Sequence, residues 1–186
     1  MATCLPGTTI EVSGIKKKCS RIMFEGIFAT GGITLSQVSV MTGLEPYLIQ
    51  NWVKRGFVSS PVNRQYTKSQ FARIVIINML RESLQIDSIC RLLSYINGDL
   101  KDHSDDLIDD SELYHIYVDM FSESEDITDD KQAVRKAVIK AAENYSEPVI
   151  GAKQRLCKVL QVMAFAHYAS ICKKNAEEML SGLEDL

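Results

Sequence analysis

Two matching helix-start signals constrain the fold of this chain more than any other feature of its sequence. The stretches from Thr34 to Gln37 and from Thr67 to Gln70 both read threonine, two further residues, then glutamine. In such a capping box the threonine hydroxyl accepts a hydrogen bond from the glutamine amide, and the glutamine side chain accepts one from the threonine amide. The pattern predicts that one helix begins after each threonine.

The first of these helices is followed by another after a short turn. Apolar residues recur at helical spacing after Thr34, and Thr42-Gly43 is a stop signal. Pro46 fits the first turn of the next helix, which we expect to run to Arg55, because a proline there loses no intrahelical hydrogen bond. Two short helices joined by a turn that contains glycine predict a helix-turn-helix. The residues expected to be buried in it are Leu35, Val38, Met41, Leu48, Ile49, Trp52 and Val53.

A short extended segment and two more helices follow. Residues 57–66 are expected to run extended, turn and run extended again, because Pro61 disfavours helix. A third helix then begins after Thr67, and a fourth runs from Gln85 to Ile96. This order of elements predicts a winged helix-turn-helix over residues 33–98. The residues expected to be buried in the last two helices are Phe71, Ile74, Val75, Ile77, Met79, Ile86, Ile89, Leu92 and Leu93.

The same stretch resembles the MerR family of transcription regulators, in register from Leu35 to Leu93. The segments that carry the resemblance are LSQVSVMTGLEPYLIQNWVKRGFV for the first two helices, YTKSQFARI after the wing and QIDSICRLL at the start of the fourth helix. The resemblance implies a transcription regulator that binds double-stranded DNA. The whole chain is also similar to an uncharacterised bacterial domain-of-unknown-function family with such a module at its front.

The chain departs from the MerR pattern at two places that bear on DNA. Its wing is shorter, with Arg64 as the cation between Pro61 and Tyr66. Where the family commonly has Arg then Tyr in the second helix, this chain has Gln50 and Asn51. Both departures remove phosphate-binding capacity, so we expect a homodimer on paired half-sites to be the route to useful affinity.

The candidate DNA-binding residues lie on the second helix and around the wing. In a helix-turn-helix the second helix enters the major groove, and outward side chains near its start reach base edges. Glutamine and asparagine can pair bidentately with adenine, so Gln50 or Asn51 is the expected base reader. Neighbouring cations and hydroxyls are expected to contact phosphates, which positions the protein without specifying a sequence. The full set of predicted DNA-binding residues is Ser36, Tyr47, Gln50, Asn51, Lys54, Arg55, Arg64, Tyr66 and Lys68.

Charge is divided unevenly along the chain. Residues 1–98 hold 11 Lys and Arg against 5 Asp and Glu, whereas residues 99–186 hold 10 against 19. A basic front and an acidic back fit a nucleic-acid-facing module joined to a part that avoids phosphate. We expect a lead-in and N-terminal helix at 1–32, the winged module at 33–98, and an acidic all-α domain at 99–186. The acidic domain would serve dimerisation or receive a small-molecule or protein effector.

Outside the winged module the sequence predicts helices with loops between them. Residues 1–12 are expected to be a loose lead-in, and a helix at 13–29 would carry its cations, from Lys16 to Arg21, on a polar side. The Asp-rich stretch 99–110 is expected to be an exposed linker or helix start. A heptad seam through Leu156 and Val159 decays into polar residues, which favours a compact helical half over a coiled coil. The further predicted elements are helices at 107–121, 128–145 and 149–180, with an acidic loop at 122–127.

The sequence does not indicate an enzyme, a cofactor site or a metal site. His103, His115 and His167 lie far apart, and no glycine-rich phosphate loop or nucleophile motif is present. The five cysteines form no CxxC pair and are odd in number, which favours a reducing cytoplasm. No stretch fits a signal peptide or a membrane span. The alternative function is a non-enzymatic protein-interaction module on a helix-turn-helix scaffold that has lost DNA binding.

Overall fold

The chain is mainly α-helical, as its sequence predicts. The computed structural model describes residues 3–98, 100, 105–123 and 130–184. Short antiparallel strand pairs join β1 (Thr3–Cys4) to β2 (Glu11–Val12) and β3 (Ile33–Thr34) to β4 (Gln65–Tyr66). The helices are α1 (Cys19–Ile27), α2 (Leu35–Thr42), α3 (Pro46–Lys54), α4 (Lys68–Leu80), α5 (Ile86–Asn97), α6 (Asp110–Glu123), α7 (Lys131–Ala141) and α8 (Ala152–Glu184).

Capping and stop residues place the ends of α2, α3 and α4 where the sequence predicts them. Both capping boxes are formed, and the threonine amides donate to the glutamine side chains over 2.8 Å in α2 and 2.9 Å in α4. Gly43 ends α2 in the left-handed region with φ 69°, a conformation that costs glycine little because it has no Cβ. Pro46 is the first residue of α3, as predicted.

Helix α4 lies at the centre of one continuous hydrophobic core. It packs against α2, α5, α6 and α8, and its residues from Phe71 to Ile77 are all buried. The predicted buried residues of this helix are confirmed, but the apolar face extends around the whole helix because neighbours surround it. The core therefore joins residues on both sides of position 98, including Ile74, Leu93, Tyr114, Tyr117 and Leu160.

The lead-in from residue 3 to residue 12 packs onto the core, so the prediction of a loose segment is wrong for these residues. Leu5 is fully buried, and the Tyr114 hydroxyl donates to the Pro6 carbonyl over 2.8 Å. Gly7 packs directly on α4, where a Cβ would lie 2.4 Å from the Val75 carbonyl oxygen. This close approach requires glycine, because any side chain would collide with the backbone of a buried helix.

Helix α1 begins at Cys19, six residues later than predicted at 13, because Lys18 adopts a left-handed conformation with φ 65°. Lys17 and Arg21 face the acidic side of α6. Lys17 Nζ lies 2.6 Å from Glu123 Oε1, and the Arg21 guanidinium makes a two-pronged contact with Glu112, with one bond of 2.6 Å. These cations therefore neutralise acids within the chain.

The stretch from 99 to 110 is only partly an exposed linker. Residues 99 and 101–104 lie outside the described residues, whereas Asp110 begins α6 and is buried. The Arg73 guanidinium donates to Asp110 over 2.9 Å, and Asn97 donates to the same carboxylate over 2.9 Å. The helix-start alternative is confirmed at Asp110, whereas the expected exposure is wrong there, because Asp110 meets a buried cation from α4, a non-local partner.

The acidic loop predicted at 122–127 and the predicted helix start at 128 fall largely outside the described residues. Ser122 and Glu123 belong to the end of α6. Asp130 caps α7 by accepting from the Gln132 amide over 2.7 Å. Helix α7 ends at Ala141, four residues before the predicted end at 145.

Helix α8 has two different parts along its 33 residues. The first part is buried by its neighbours at Leu156, Val159, Leu160 and Met163, as predicted. From 172 to 183 every residue is exposed, so the expectation of a compact packed helix fails for this end. No helix in the described part of the chain is both long enough and apolar enough to cross a membrane.

One buried and one half-buried histidine lead us to expect a loss of stability in acid. His115 shares a hydrogen bond with the Ser20 hydroxyl over 2.9 Å, and His167 pairs with the Tyr117 hydroxyl over 2.7 Å. Burial lowers the pKa of each of these histidines from 6.5 to about 4. The unfolded chain therefore binds more protons than the folded chain between these values, and the stabilisation present above pH 6.5 is lost as the pH falls towards 4.

Urea unfolding across the range from about pH 7 to about pH 5.5 should show the free energy of unfolding falling with pH. A His167→Gln variant, whose amide can still pair with Tyr117, should show a shallower fall. An equal fall in both proteins would contradict the assignment of a depressed pKa to His167.

Candidate nucleic-acid interface

Helix α3 is a short helix with one buried and one exposed face. Ile49 and Trp52 anchor it in the core, and the preceding α2 packs against it across the Gly43 turn. Tyr47, Gln50, Asn51 and Lys54 are exposed on its other side. The two amide side chains expected to read bases therefore point away from the core on a braced helix.

The predicted extended–turn–extended segment forms a tight hairpin beside α3. Val62 and Gln65 exchange both backbone hydrogen bonds, over 3.1 and 2.9 Å. Asn63 and Arg64 between them both have positive φ, at 52° and 62°, which is the pattern of a two-residue type I′ turn. The hairpin tip consequently has only two residues, of which Arg64 is the cation.

A crevice of about 380 Å³ separates α3 from this hairpin. Gln50 and Arg64, two predicted site residues from different elements, both line it. Tyr66 also lines it and is 3% exposed, unlike the other predicted site residues, which are exposed. Tyr66 therefore shapes the crevice from the core and does not project from the surface. The remaining walls are apolar, formed by Leu35, Val53 and Pro61.

The exposed cations around the crevice differ in their freedom to meet an anion. Within the described residues, Lys54, Arg64 and Lys68 make no ion pair. Arg55 lies 3.6 Å from Asp87 of α5, and its guanidinium stacks over the Phe57 ring at 4.3 Å. Arg55 is thus partly neutralised, whereas the other three cations are available to an external partner.

The hairpin is held to the body by a glutamine that also caps a helix. Gln70 closes the α4 capping box, and its side-chain nitrogen donates to the carbonyls of Ser59 and Ser60 over 3.2 and 3.0 Å. The cap is predictable from the sequence, whereas this second role was missed. The sequence does contain a signal for this second role: a capping box uses only the acceptor of the glutamine amide, so its two donors remain for other partners.

A buried arginine supports the C-terminal end of α3. Arg73 Nε donates to the Phe57 carbonyl over 2.8 Å, while its other end pairs with Asp110. The segment after α3, the central α4 and the start of α6 are therefore joined through one side chain. This residue was missed at the level of sequence because an arginine within an apolar helix carries no local sign of its partner.

A second crevice, of about 620 Å³, lies between the start of α1, α6 and α7. Its charged rim is already paired internally: Glu123 bridges Lys17 and Lys140, at 2.6 and 2.8 Å. Its lining includes the apolar side chains of Ile116 and Met120. In the described part of the chain, no group of three or more His, Cys, Asp or Glu is arranged to hold a metal ion.

Comparison with known proteins gives one match. A family model described as "Domain of unknown function (DUF1836)" matches residues 33–117. The match begins at β3 and ends inside α6, so it includes the hairpin, α3, α4 and the buried pair of Arg73 and Asp110. No curated protein and no solved structure matches the chain.

Proposed function

We propose that this chain is a DNA-binding transcription regulator of MerR-like type, in which α3 enters the major groove of duplex DNA. In this proposal α2 to α5 with the hairpin form a winged helix-turn-helix. The observation that carries it is the exposure of Gln50 and Asn51 on a short helix that Ile49 and Trp52 fix in the core. Rigid support of this kind suits base reading, because a reading side chain must be held in register.

Base recognition falls to the two amide side chains of α3. An asparagine or glutamine can donate to N7 and accept from the amino group of adenine at the same time, which distinguishes adenine from the other bases. Both side chains leave the same turn of α3, and Gln50 also borders the crevice. A site that contains adenine in each half is therefore expected.

Phosphate contacts fall to the free cations around α3 and the hairpin. Lys54, Arg64 and Lys68 supply positive charge, and the hydroxyls of Ser36 and Tyr47 supply further donors. Arg55 contributes less, because Asp87 and the Phe57 ring already engage it. Tyr66 acts as a support for the crevice. Arg64 also lines the crevice, so a phosphate beside the hairpin would meet a cation there.

Three free cations give a measurable expectation for the salt dependence of binding. Each phosphate neutralised on duplex DNA contributes a slope of about −0.9 in a plot of log affinity against log salt concentration. The expected slope is therefore about −3 for one chain and about −5 for a two-fold dimer on paired half-sites. A dimer would supply the affinity that one short hairpin lacks.

The experiment is a titration of the purified chain against labelled random duplex DNA at about 50 to 200 mM salt. We expect the affinity to fall steeply, and a Lys54→Gln variant to reduce the steepness of the slope by about 1 for each chain bound. Lys136→Gln, on the exposed face of α7, is the matched control and should leave the slope unchanged. Absence of binding at about 50 mM salt would overturn the proposal and favour the protein-interaction module.

In this proposal the helices after residue 98 regulate DNA binding. Arg73 connects the two regions, because it donates both to Asp110 at the start of α6 and to the Phe57 carbonyl just after α3. A molecule that binds the α1–α6–α7 crevice would contact α6 and so bear on this connection. An effector of small-molecule or protein class is therefore assigned to that half.

A further inference from the structure

The two legs of the hairpin beside α3 are held in different ways. The outgoing leg, β4, pairs with β3 through the backbone, with Ile33 opposite Tyr66. Gly32 allows a close approach to this leg, since a Cβ there would lie 2.8 Å from the Gln65 Cβ. The incoming leg, residues 58–61, has no strand partner within the described residues. Its position must therefore come from contacts other than β-pairing.

Helix α4 supplies these contacts from its side chains. Arg73 Nε donates to the Phe57 carbonyl over 2.8 Å. Gln70 Nε2 donates to the carbonyls of Ser59 and Ser60 over 3.2 and 3.0 Å. Because Gln70 and Arg73 are three residues apart, they lie on the same side of α4. Their donors take the place of a neighbouring strand along this stretch of backbone.

The Gln70 amide is fixed at both of its ends. Its oxygen accepts from the Thr67 amide over 2.9 Å, and its nitrogen donates to the hairpin. The next residue, Phe71, is fully buried and anchors the start of α4 in the core. On the other side of the contact, Val58 is 1% exposed and anchors the start of the incoming leg. Gln70 therefore joins a fixed helix to the part of the hairpin that lacks a strand partner.

The other capping box separates the two roles of the glutamine. Gln37 accepts from the Thr34 amide over 2.8 Å, as Gln70 does from Thr67. Its side chain is exposed and, within the described residues, bonds only to Thr34. A glutamate would serve equally well as the acceptor of a capping box, but it could not donate to a carbonyl. The cap alone therefore does not require a glutamine at position 70, whereas the hairpin does.

A shift of the incoming leg would move Arg64. The tip of the hairpin consists of Asn63 and Arg64 alone, both with positive φ. Val62 and Gln65 close this turn with two backbone hydrogen bonds, so the tip follows the legs as a unit. Arg64 and Gln50 line the same crevice from opposite elements. The position of the incoming leg therefore sets the separation of these two side chains.

We propose that Gln70 is a positioning residue for the proposed DNA interface. Its amide holds the incoming leg on α4 and so places Arg64 beside Gln50 across the crevice. A phosphate contact next to the base-reading side chain then depends on a residue that itself contacts no DNA. The DNA part of this inference rests on the proposed function, whereas the position of the hairpin is measured without DNA.

Gln70→Glu tests the positioning and keeps the cap. The glutamate retains the acceptor for the Thr67 amide and removes both donors to the hairpin. Hydrogen exchange of the Val62 and Gln65 amides, followed by NMR, should become about ten-fold faster or more, because two hydrogen bonds to the incoming leg are lost. Exchange within α4 should be unchanged, which shows that the helix is intact.

Gln37→Glu is the matched control, because it adds the same charge to the other capping box. It should leave the exchange of the Val62 and Gln65 amides unchanged. Equal exchange of these amides in Gln70→Glu and the unmodified chain would overturn the proposal.

A double-mutant cycle with Arg64→Gln tests the DNA part. In the unmodified background, Gln70→Glu should weaken binding to random duplex by about eight-fold for each chain bound, the value of one phosphate contact at about 100 mM salt. In the Arg64→Gln background the same substitution should change the affinity by less than about two-fold, because the contact is already absent. Gln37→Glu should have the same effect in both backgrounds.

The two measurements separate this inference from the proposed function. Losses that add for Gln70→Glu and Arg64→Gln would show that Gln70 does not act through Arg64 and would overturn the inference. Failure of the unmodified chain to bind any duplex would overturn the proposed function, and with it the DNA part of the inference. Hydrogen exchange would then still decide whether Gln70 holds the hairpin.

Discussion

Replacing Asp110 by asparagine is expected to lower the free energy of unfolding by about 3–5 kcal/mol. The cause is the Arg73 guanidinium, whose side chain is 4% exposed and would remain charged without its carboxylate. Asn97 also donates to Asp110, so the substitution disturbs two buried hydrogen bonds at once. Burial raises the pKa of Asp110 and the Arg73 charge opposes this, which makes the cation the partner on which the carboxylate depends.

Urea unfolding measures this effect, and two further variants define it. Glu82→Gln removes a carboxylate that is 51% exposed and pairs with Lys173 at 3.4 Å; it should cost less than about 1 kcal/mol. Replacement of both partners, Arg73→Met with Asp110→Leu, should recover much of the loss, because no buried charge is then left unpaired. A loss below about 1 kcal/mol for Asp110→Asn would contradict the importance of this ion pair.

The second large effect is expected at the proposed DNA-reading face of α3. Replacement of Gln50 and Asn51 together by alanine should remove most of the discrimination between the preferred site and random duplex. The expected loss is about 1–3 kcal/mol for each bidentate pair of hydrogen bonds to a base that the substitution removes. Binding to random duplex should change little, since phosphates supply that affinity. Both side chains are exposed, so the stability of the fold should be unchanged within about 0.5 kcal/mol.

Competition binding with the preferred site and random duplex separates these effects. Lys68→Gln is the contrasting variant, because removal of a phosphate contact should weaken binding to both duplexes equally and leave their ratio intact. An alanine variant that retains the full ratio would show that other residues read the sequence. Equal weakening on both duplexes would show that Gln50 and Asn51 act on the backbone instead.

Local chemistry made much of the fold predictable. The capping boxes at Thr34 and Thr67, the proline at the start of α3 and the glycine after α2 each act through neighbours within a turn or so of helix. Such signals depend on backbone hydrogen bonds that are fixed once a helix forms. For this reason α2 to α5 begin and end close to their predicted residues.

Non-local partners account for most of the errors. Arg21 and Lys17 look, in the sequence, like the polar side of a helix, yet their partners Glu112 and Glu123 lie about a hundred residues later in α6. Asp110 looks like one of several linker aspartates until Arg73 is placed beside it. The lead-in shows no periodicity, and its order comes from packing on α4 and α6.

The candidate site was predictable to the extent that helix periodicity decides which side chains face outward. Periodicity correctly places Gln50, Asn51 and Lys54 on the exposed face, but it could not place Tyr66, which β-pairing with Ile33 turns into the core. The expectation of a compact α8 held only in part for a related reason. Leu156 and Val159 are buried by neighbouring helices, as expected, but periodicity could not show that this packing ends before residue 172.

Sequencing of genomic DNA fragments recovered with the purified full chain tests the central claim most directly, with the Asn51→Ala variant treated in parallel. If α3 reads the major groove, the unmodified chain should enrich a recurring sequence that contains adenine in paired half-sites, and the variant should lose that enrichment. Recovery of no enriched sequence by the unmodified chain, or the same enrichment by both proteins, would contradict base reading by α3.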